Sequence, residues 1–406
     1  MTFACRSCGS ESTTLVLDLG AMPLANSLVD GSVAPTAERR FPLDLVICDA
    51  CKLLQITESV DPSLLFTNYV YFSSFSDTML DHAGTLARET VAQRRLSEKH
   101  LVVEAASNDG YLLKHYKGAG VNVLGIEPAT NVAAVAEAQY GIPTLRRFFG
   151  KELADELVRE GKRADVFHAH NVLAHVPDIN GFVAGIATLL SSDGIAIIEV
   201  PYAREMLERT EFDTIYHEHL FYFSLNALVT LFGRHGLTVQ DVRRLSIHGG
   251  SLRIVAGRGT GASPAVEELL EDEHRVGMLA NEYYVNFADD VRRTCDNLRA
   301  ILTDLRRAGR RIAGYGAAAK ATTLLNFAQI GSDVIEMVFD RSTYKQGRQM
   351  PGVHIPIRAP SELMDVRPDY LVVLAWNFAD EIIRQQDAFR RSGGRFVIPI
   401  PSVKIV

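Results

Sequence analysis

The fold is decided by residues 101–110, whose sequence is LVVEAASNDG. A short apolar run that ends in small and polar residues is typical of a buried strand followed by a turn. Similar runs recur at 121–126, 165–170 and 195–200, and helical spacers separate them. Because strands that alternate with helices form parallel sheets, we predict an α/β domain here.

The turn after the first strand has the layout of a nucleoside-binding site. Open parallel sheets bind ligands at the carboxyl ends of their strands, and the second strand ends at Glu127, whose carboxylate can accept hydrogen bonds from ribose hydroxyls. The first turn has a single glycine, Gly110, and therefore lacks the G-x-G-x-x-G pattern that binds a pyrophosphate. A ligand without phosphates fits better, and S-adenosylmethionine is such a ligand.

Polar residues around a later strand are expected near the same edge of the sheet. Asn171 and His175 follow the strand 165–170 and are candidates for the site. His168 and His170 lie within this strand, so we expect them to pack inside or to pair locally.

The N-terminal region contains two Cys-x-x-Cys pairs, Cys5 with Cys8 and Cys48 with Cys51. Two such pairs can place four thiolates around one zinc ion in a tetrahedron that leaves no open position for a substrate. We therefore predict a structural zinc site, with two independent redox pairs as the alternative. Cys295 stands alone in a helical pattern and is predicted to be a buried, small apolar residue.

Residues 216–224, with the sequence YHEHLFYFS, combine two imidazoles, a carboxylate and two phenols. Histidines titrate near neutral pH and a neighbouring carboxylate can set their protonation, which is what proton abstraction from carbon needs. The alternative is an aromatic strand whose histidines only satisfy local hydrogen bonds. Ser224 is predicted to cap a helix from Leu225 to about His235, so the segment is expected at the sheet edge just before a helix.

A second series of strands and helices begins after the long helices predicted within 263–310. Gly314, Gly316 and Ala319 match G-x-G-x-x-A between a strand and a helix, and Asp340 ends the next strand. Taken alone, this pattern indicates a dinucleotide and hence a nicotinamide oxidoreductase. The same helix start would also bind the diphosphate of a nucleotide-linked substrate. A third interpretation is close packing of a helix on a strand by small residues.

Composition limits the function further. A chain of 406 residues exceeds one hydrophobic core, so two or three domains are expected. The formal net charge of −7 argues against a general nucleic-acid binder, because phosphates demand clustered Lys and Arg. The sequence has no apolar run of membrane-spanning length and does not begin with the pattern of a secretory signal, so we expect a cytoplasmic protein.

The order of these motifs resembles the zinc-containing, S-adenosylmethionine-dependent sugar C-methyltransferases of antibiotic deoxysugar pathways. The resemblance covers almost the whole chain. It implies an N-terminal zinc-binding module (1–75), a central class I, Rossmann-like methyltransferase domain (76–260), and long helices with a C-terminal Rossmann-like α/β domain (261–406). The last domain would help to bind the nucleotide sugar and would carry no nicotinamide. The motifs that carry the resemblance are the paired cysteines, VEAASNDGY, NVLAHV, YHEHLFYFS, HGGSLR and GYGAAAK.

The resemblance also implies a reaction. The substrate would be a nucleoside-diphosphate 4-keto-deoxysugar, with thymidine as the base and carbon 3 as the methylated position. A base removes a proton beside the ketone, and the enolate carbon attacks the sulfonium methyl group. His219 would be the base and Glu218 would orient or tune it. Tyr216, Tyr71 and His175 would hydrogen-bond the keto oxygen or the sugar hydroxyls, with Tyr69 competing for the role of Tyr71.

The remaining implied contacts concern the two ligands. No nucleic acid or membrane partner is expected, and a monomer is compatible with the resemblance. The rival functions are a nicotinamide oxidoreductase, a zinc-containing RNA methyltransferase and a non-catalytic zinc-dependent binding module.

The S-adenosylmethionine pocket would be lined by Glu104, Asn108, Gly110, Glu127 and Asn171. The nucleotide sugar would be approached by Ser73, Ser74, Tyr315 and Lys320.

Overall fold

The described part of the chain forms three main sheets, which follow one another from the N-terminus to the C-terminus. The computed structural model describes residues 3–30, 38–61, 74 and 77–406. Tyr71 and Ser73, like Tyr69, lie outside the described residues. None of the helices in the described ranges is long and apolar enough to cross a membrane.

The strands and helices have the following bounds. The strands are β1 (Thr13–Pro23), β2 (Val29–Asp30), β3 (Arg40–Cys48), β4 (Leu54–Ile56), β5 (Leu101–Ala105), β6 (Asn122–Ile126), β7 (Thr144–Leu145), β8 (Ala164–His170), β9 (Leu190–Pro201), β10 (Phe221–Tyr222), β11 (Thr238–Leu245), β12 (Ser251–Gly257), β13 (Ile312–Tyr315), β14 (Val338–Phe339), β15 (Arg348–Gln349), β16 (Ile357–Arg358), β17 (Tyr370–Val373), β18 (Arg395–Ile398) and β19 (Lys404–Ile405). The α-helices are α1 (Asp77–Arg94), α2 (Leu113–Gly118), α3 (Thr130–Tyr140), α4 (Lys151–Arg159), α5 (Ile179–Leu189), α6 (Ala203–Glu208), α7 (Leu225–Arg234), α8 (Pro264–Arg275), α9 (Phe287–Arg307), α10 (Ala319–Phe327), α11 (Leu363–Val366), α12 (Ala379–Gln385) and α13 (Asp387–Arg391).

The central sheet has seven strands in the order β11-β12-β9-β8-β5-β6-β7. The strands from β9 to β7 are parallel, and β12 and β11 join the edge antiparallel. The four strands predicted between 101 and 200 are confirmed. They could be predicted because parallel strands that are covered on both faces carry continuous apolar runs. The two-residue strand β7 escaped prediction, since it is too short to produce such a run.

The N-terminal sheet has the order β1-β3-β4-β10, and its last strand comes from the 216–224 stretch. Phe221 pairs with Gln55 and Tyr222 pairs with Leu54, both antiparallel. Phe223 forms a parallel bridge with Tyr202, directly after β9 of the central sheet. The stretch therefore lies at the edge of the central sheet, as predicted, and also completes the N-terminal sheet, which the sequence did not indicate.

Helix α7 begins where the sequence predicts. The Ser224 hydroxyl accepts the Ala227 N–H at 3.1 Å, and the helix ends at Arg234, one residue before the predicted end. The long helices predicted within 263–310 are α8 and α9, and Cys295 is buried in α9.

The C-terminal sheet has the order β16-β14-β13-β17-β18-β19, with β19 antiparallel to its neighbour and the other strands parallel. This confirms a second Rossmann-like domain. Strand β14 is much shorter than the predicted strand 334–340. A two-stranded sheet of β2 and β15 links the N-terminal region to this domain, and one continuous hydrophobic core runs through all three parts of the chain.

Candidate active site and metal centre

The four N-terminal cysteines converge on one point. All four Sγ atoms lie within 4.8 Å of one another, with 3.6 Å between Cys5 and Cys51 and 3.5 Å between Cys8 and Cys48. A tetrahedral zinc ion with 2.3 Å bonds to sulfur needs sulfur atoms about 3.8 Å apart, so the cluster has the size of a zinc site. The geometry favours one four-sulfur site over two separate redox pairs.

Hydrogen bonds around the cluster favour a thiolate at Cys5. The Cys51 thiol, the Gln55 side chain and the backbone around Cys8 hydrogen-bond the Cys5 sulfur, which lowers the pKa of Cys5 to about 4 although burial opposes this. Thiolates are the form that binds zinc. The hydrogen bond between Cys5 and Cys51 raises the pKa of Cys51, and burial raises the pKa of Cys48, so without a metal the negative charge lies on Cys5.

Buried acceptors surround the turn after β5. Glu104 is only 1% exposed, and its Oε2 atom has no hydrogen-bond partner among the described residues. Among the described residues, Ser107 Oγ and Asp109 Oδ1 likewise have no hydrogen-bond partner. Burial, with Glu127 next in importance, raises the pKa of Glu104 well above its usual value. Unsatisfied carboxylate oxygens in one place suit a cationic ligand.

The turn itself is held in a conformation that glycine favours. The Glu127 carboxylate accepts the N–H of Asn108 at 3.0 Å and the N–H of Ala129 at 2.8 Å. Asn108 and Gly110 have φ values of +50° and +79°, and a Cβ atom on Gly110 would lie 2.4 Å from Ile142 Cδ1. Gly110 is therefore required for the turn to pack, whichever ligand it binds.

Asn171 lies at the same sheet edge, directly after β8. Its φ is +54°, and its N–H donates to the Glu199 carbonyl at 2.8 Å. The five residues predicted to line the cofactor pocket thus lie near the end of, or directly after, the neighbouring strands β5, β6 and β8.

Asp109 and Ser107 belong to the same group but were not singled out from the sequence. Their unsatisfied oxygens become visible only in the fold.

Ser74 is also close to this turn. Its N–H donates to Asp109 Oδ2 at 3.3 Å. The structure therefore places Ser74 beside the predicted cofactor pocket.

His219 and His175 form a pair of imidazoles with ring centroids 4.8 Å apart. His219 Nδ1 lies 2.9 Å from the Thr214 carbonyl, and His175 Nδ1 lies 2.6 Å from the Glu218 carbonyl. A carbonyl only accepts hydrogen bonds, so each Nδ1 carries the proton and each neutral ring has its lone pair on Nε2. The Tyr216 hydroxyl lies 2.9 Å from His219 Nε2 and donates to it.

Burial keeps the second imidazole neutral. It lowers the pKa of His175 to about 4, although the bond to Glu218 opposes the shift. His217, by contrast, faces the N-terminal module, where its Nε2 atom donates to the Pro42 carbonyl at 3.1 Å. The two histidines of the 216–224 stretch therefore differ: the local hydrogen-bonding alternative describes His217, whereas His219 lies in the polar cluster.

Glu218 is 5% exposed and its Oε1 atom accepts the Asn26 side-chain N–H at 2.7 Å. Burial raises the pKa of Glu218 to about 7. The His219 ring is in hydrogen-bonding contact with the Thr214 carbonyl and the Tyr216 hydroxyl. That the Glu218 carboxylate orients or tunes this ring stays a prediction. The Glu218 backbone carbonyl orients His175.

Replacement of Glu218 by Gln should stabilise the protein more at pH 8 than at pH 5. The native carboxyl group titrates near pH 7 and the unfolded group near 4.5. The native state therefore binds more protons across this window, and its stability falls as pH rises through it. Gln stays neutral and keeps an acceptor for Asn26. Thermal unfolding at both pH values measures the difference, and an equal change in Tm at both would contradict the assigned pKa.

A buried ionic cluster joins strands β9 and β12 of the central sheet to helix α1, and the sequence did not predict it. Glu199 accepts hydrogen bonds from Arg253 Nε at 2.6 Å and from His82 Nε2 at 3.0 Å. Burial opposes ionisation, but His170, His82 and Arg253 outweigh it and hold the pKa of Glu199 well below its usual value. A glutamate inside the apolar run IAIIEVP was the available signal, but its partners are distant in the chain.

The histidines of strand β8 extend this cluster. His168 Nδ1 and His170 Nε2 are 3.0 Å apart, and the Tyr116 hydroxyl lies 2.8 Å from His168 Nε2. Burial lowers the pKa of His170 to about 4. The prediction that these two histidines pack inside and pair locally is confirmed.

The glycines of the C-terminal turn serve close packing. A Cβ atom on Gly314 would lie 2.8 Å from Leu374 Cδ1, and one on Gly316, where φ is +94°, would lie 2.8 Å from Ala375 Cβ. Asp340 Oδ2 accepts the Ala317 N–H at 2.7 Å. These contacts account for the G-x-G-x-x-A pattern without a dinucleotide.

Two residues predicted to approach the nucleotide sugar lie in this domain. Tyr315 is buried, and its hydroxyl accepts the Gln386 side-chain N–H at 3.1 Å. Lys320 Nζ donates to Asn377 Oδ1 at 3.0 Å and lies 4.4 Å from the centroid of the Trp376 ring. The structure thus places both residues in contacts within the protein.

Comparisons with known proteins identify the class. A zinc binding domain matches residues 5–66, a methyltransferase domain matches 82–242, and a C-methyltransferase C-terminal domain matches 246–401. The chain is thus a zinc-binding, S-adenosylmethionine-dependent methyltransferase. It is 36% identical over 405 residues to the C-methyltransferase NovU of Streptomyces niveus, a match that covers 99% of this chain and 96% of NovU. The chain belongs to this C-methyltransferase family.

Two other similarities are limited to part of the chain. The ubiquinone biosynthesis O-methyltransferase of Azorhizobium caulinodans is 25% identical over 131 residues, which cover 32% of this chain and 50% of that protein. The crystal structure of magnesium protoporphyrin IX methyltransferase from Synechocystis with bound S-adenosylmethionine is 16% identical, with a TM-score of 0.35, and covers 44% of this chain and 79% of its own.

Membership of the family agrees with the chemistry of the two sites. S-adenosylmethionine carries a sulfonium and an ammonium group, and the unsatisfied oxygens of Glu104 and Asp109 suit such a cation. Four converging sulfur atoms suit zinc. The oxidoreductase and RNA methyltransferase alternatives are set aside, because the matched C-terminal model is that of C-methyltransferases.

Proposed function

We propose that this enzyme transfers a methyl group to carbon 3 of a nucleoside-diphosphate 4-keto-deoxysugar, through an enolate. The nucleotide is proposed to be thymidine diphosphate. The observation that carries the proposal is the contact of His219 Nδ1 with the Thr214 carbonyl, which leaves the lone pair on Nε2 when the imidazole is neutral. A methyltransferase that acts on oxygen or nitrogen can use a lone pair of its substrate, whereas a carbon next to a ketone must first lose a proton.

His219 is proposed to be the base. Its Nδ1 proton stays with the Thr214 carbonyl, so Nε2 is the atom that takes the proton from the sugar carbon. The electrons of the broken C–H bond form a C=C bond, and the π electrons of the ketone move to its oxygen, which gives the enolate. The enolate carbon would then form the new C–C bond with the methyl group as the methyl–sulfur bond breaks, and S-adenosylhomocysteine would leave as the second product.

Tyr216 is proposed to stabilise the enolate. Its hydroxyl donates to His219 Nε2 at 2.9 Å. When a ketone enters, rotation of this hydroxyl toward the keto oxygen would release Nε2 for the carbon-bound proton and place a donor where negative charge develops. Tyr71 is proposed as a second donor on the basis of the family resemblance.

His175 is proposed to bind a sugar hydroxyl. Its Nδ1 proton is used by the Glu218 carbonyl, and burial keeps the ring neutral at pH 7. Its Nε2 atom is therefore an acceptor, which suits a hydroxyl donor better than a keto oxygen. Glu218 contributes by fixing this ring through its backbone.

The cofactor is proposed to bind at the carboxyl edge of the central sheet. Glu104 would face the cationic end of the ligand, and Glu127 would accept hydrogen bonds from ribose, since each carboxylate oxygen can accept more than the one amide it has. Asn108 and Asn171 would contact the ligand from their left-handed turns. Gly110 would allow the close approach.

The nucleotide end of the substrate is proposed to lie toward the C-terminal domain. Lys320, in the first turn of α10, is the cation that would meet the diphosphate, after release from Asn377. Ser74 would lie near the sugar, because it adjoins the cofactor turn. Ser73 and Tyr315 are carried from the resemblance.

Affinity for S-adenosylmethionine is expected to rise with pH in the native enzyme and to lose this dependence on replacement of Glu104 by Gln. Burial raises the pKa of Glu104, so its ionised form becomes more populated as pH rises, and this is the form that attracts a cation. Loss of one charge-assisted contact should weaken binding about 10- to 100-fold at high pH. Calorimetric titration measures this, with the exposed Glu152→Gln as the control. An unchanged pH dependence in Glu104→Gln would contradict the role.

The reaction can be tested with carbon-13 NMR. A panel of thymidine-diphosphate 4-keto-deoxysugars is incubated with the enzyme and methyl-labelled S-adenosylmethionine. A labelled methyl bonded to ring carbon 3 would support the proposal, and its couplings would identify the carbon. Label on carbon 5 would overturn the position, and label on oxygen or nitrogen would overturn the enolate step.

A further inference from the structure

The segment Asp213-Thr214-Ile215 lies just before the 216–224 stretch and is held by the C-terminal domain at both ends. The Trp376 indole N–H donates to Asp213 Oδ2 at 2.8 Å. The Thr323 hydroxyl, on helix α10, donates to the Ile215 carbonyl at 3.0 Å. All of these contacts are buried.

Between the two anchors lies the carbonyl that orients His219. Thr214 O accepts the Nδ1 proton of His219 at 2.9 Å and a second hydrogen bond from the Tyr222 hydroxyl at 3.3 Å. The Thr214 carbonyl and the Ile215 N–H share one planar peptide unit, which turns only with the backbone on either side of it. Anchoring Asp213 and Ile215, which flank this unit, therefore limits how far Thr214 O can turn.

The first anchor, the contact of Trp376 with Asp213, involves a buried carboxyl group, and a charged group is costly to bury unless it is paired. Asp213 is fully buried, and its Oδ1 atom has no hydrogen-bond partner within the described part of the chain. Burial raises the pKa of Asp213 to about 6, and the positive charge of Lys320 limits this rise. Lys320 also packs on the ring of Trp376, so the same C-terminal residues supply a donor and a countercharge. An apolar contact would join the two domains at a lower cost in free energy. The choice of a polar contact therefore indicates that it serves to position the segment.

We propose that the C-terminal domain positions the catalytic base: Trp376 and Thr323, acting through Asp213 and Ile215, fix the Thr214 carbonyl and thereby the ring orientation and the Nδ1–H tautomer of His219. Trp376 and Thr323 are positioning residues, since they act through another group. The expected effect of this positioning on turnover rests on the proposed role of His219 as base. The expected effect on the His219 tautomer is independent of that role.

The test combines Trp376→Phe, which keeps an aromatic ring without its donor, with Thr323→Val, which removes the hydroxyl at nearly constant shape. Thr322→Val is the matched control. Its hydroxyl is equally buried on the same helix but donates to the Ala25 carbonyl at 2.9 Å, which lies outside the segment that carries the Thr214 carbonyl. Thr323→Ser should restore the wild-type behaviour.

Two readouts are needed. Long-range proton–nitrogen NMR of histidine-labelled enzyme, with the His219 signals assigned from their loss in His219→Asn, should show the Nδ1–H tautomer in the wild type and in Thr322→Val. The double variant should show mixed tautomers. Its kcat should fall about 10- to 100-fold, as for a misplaced catalytic group, with KM for S-adenosylmethionine within about twofold.

The result is decisive in either direction. A wild-type tautomer in the double variant overturns the proposal. A changed tautomer with unchanged kcat supports the positioning and overturns the base role on which its importance for turnover rests. If the double variant does not fold, each single variant removes one anchor and carries the same test. Failure of the base assignment itself would show separately, as near-normal turnover of His219→Asn.

Discussion

Replacement of His219 by Asn is expected to lower kcat by about 10²- to 10⁴-fold, the usual contribution of a general base. The Asn side-chain N–H can replace Nδ1–H as donor to the Thr214 carbonyl, 2.9 Å away in the native protein, so the local turn should persist. The basic Nε2 atom has no counterpart in Asn. Transfer of labelled methyl groups measures kcat, and calorimetry should show binding of S-adenosylmethionine within about twofold of native.

The matched control for this variant lies two residues earlier. His217→Gln changes a buried histidine of the same stretch, and the Gln side-chain N–H can replace Nε2–H as donor to the Pro42 carbonyl. This variant should keep its turnover. Near-normal turnover of His219→Asn would exclude His219 as the base, whereas equal losses in the two variants would indicate a general disturbance of the stretch.

Removal of zinc is expected to abolish turnover, although the four cysteines are distant in sequence from the acid-base residues. The N–H of Ile56, which follows the second cysteine pair, donates to the Leu220 carbonyl, and the Leu220 N–H donates to the Ala174 carbonyl, at 3.0 and 2.7 Å. These bonds join the zinc module to both histidines, since His219 and His175 are the neighbours of Leu220 and Ala174. Structural zinc sites contribute about 10 to 16 kcal/mol in small domains, so the module should unfold without the metal.

Cys51→Ser, or treatment with a chelator, provides the measurement. Activity should fall in proportion to bound zinc, while affinity for S-adenosylmethionine changes less, because its proposed pocket is built on β5, β6 and β8. Cys295→Ser is the control, since this buried cysteine lies in α9 outside the cluster. A zinc-free enzyme with full kcat would contradict the coupling between the zinc module and the site.

The parts of this structure that the sequence predicted are those whose signal is local. Strands β5 and β8 contain apolar runs, and each cysteine pair has the short spacing that brings two thiols to one metal ion. Ser224 caps the helix that begins at the next residue, through the N–H of Ala227. The C-terminal glycine pattern was also local, but it is equally consistent with packing and with phosphate binding. The close contacts of Gly314 with Leu374 and of Gly316 with Ala375, which appear only in the fold, favour packing.

The parts that escaped prediction depend on partners distant in the chain. Glu199 meets His82 and Arg253 from two other elements, and Glu218 meets Asn26. No spacing rule connects such residues, because their proximity is a property of the fold. The same holds for strand β10: the aromatic residues of 216–224 allowed a strand, but its pairing with β4 could not be predicted from the sequence.

The shared strand β10 has a consequence for how the protein is made. The N-terminal sheet is complete only when Phe221 and Tyr222 pair with β4, yet the ribosome synthesises β4 about 165 residues earlier. At about 5 to 20 residues per second, the edge of β4 waits roughly 10 to 30 s for its neighbour. An unpaired apolar edge invites association with other chains. Nascent chains that stall before residue 221 should therefore aggregate, whereas those released after it can close the sheet on themselves.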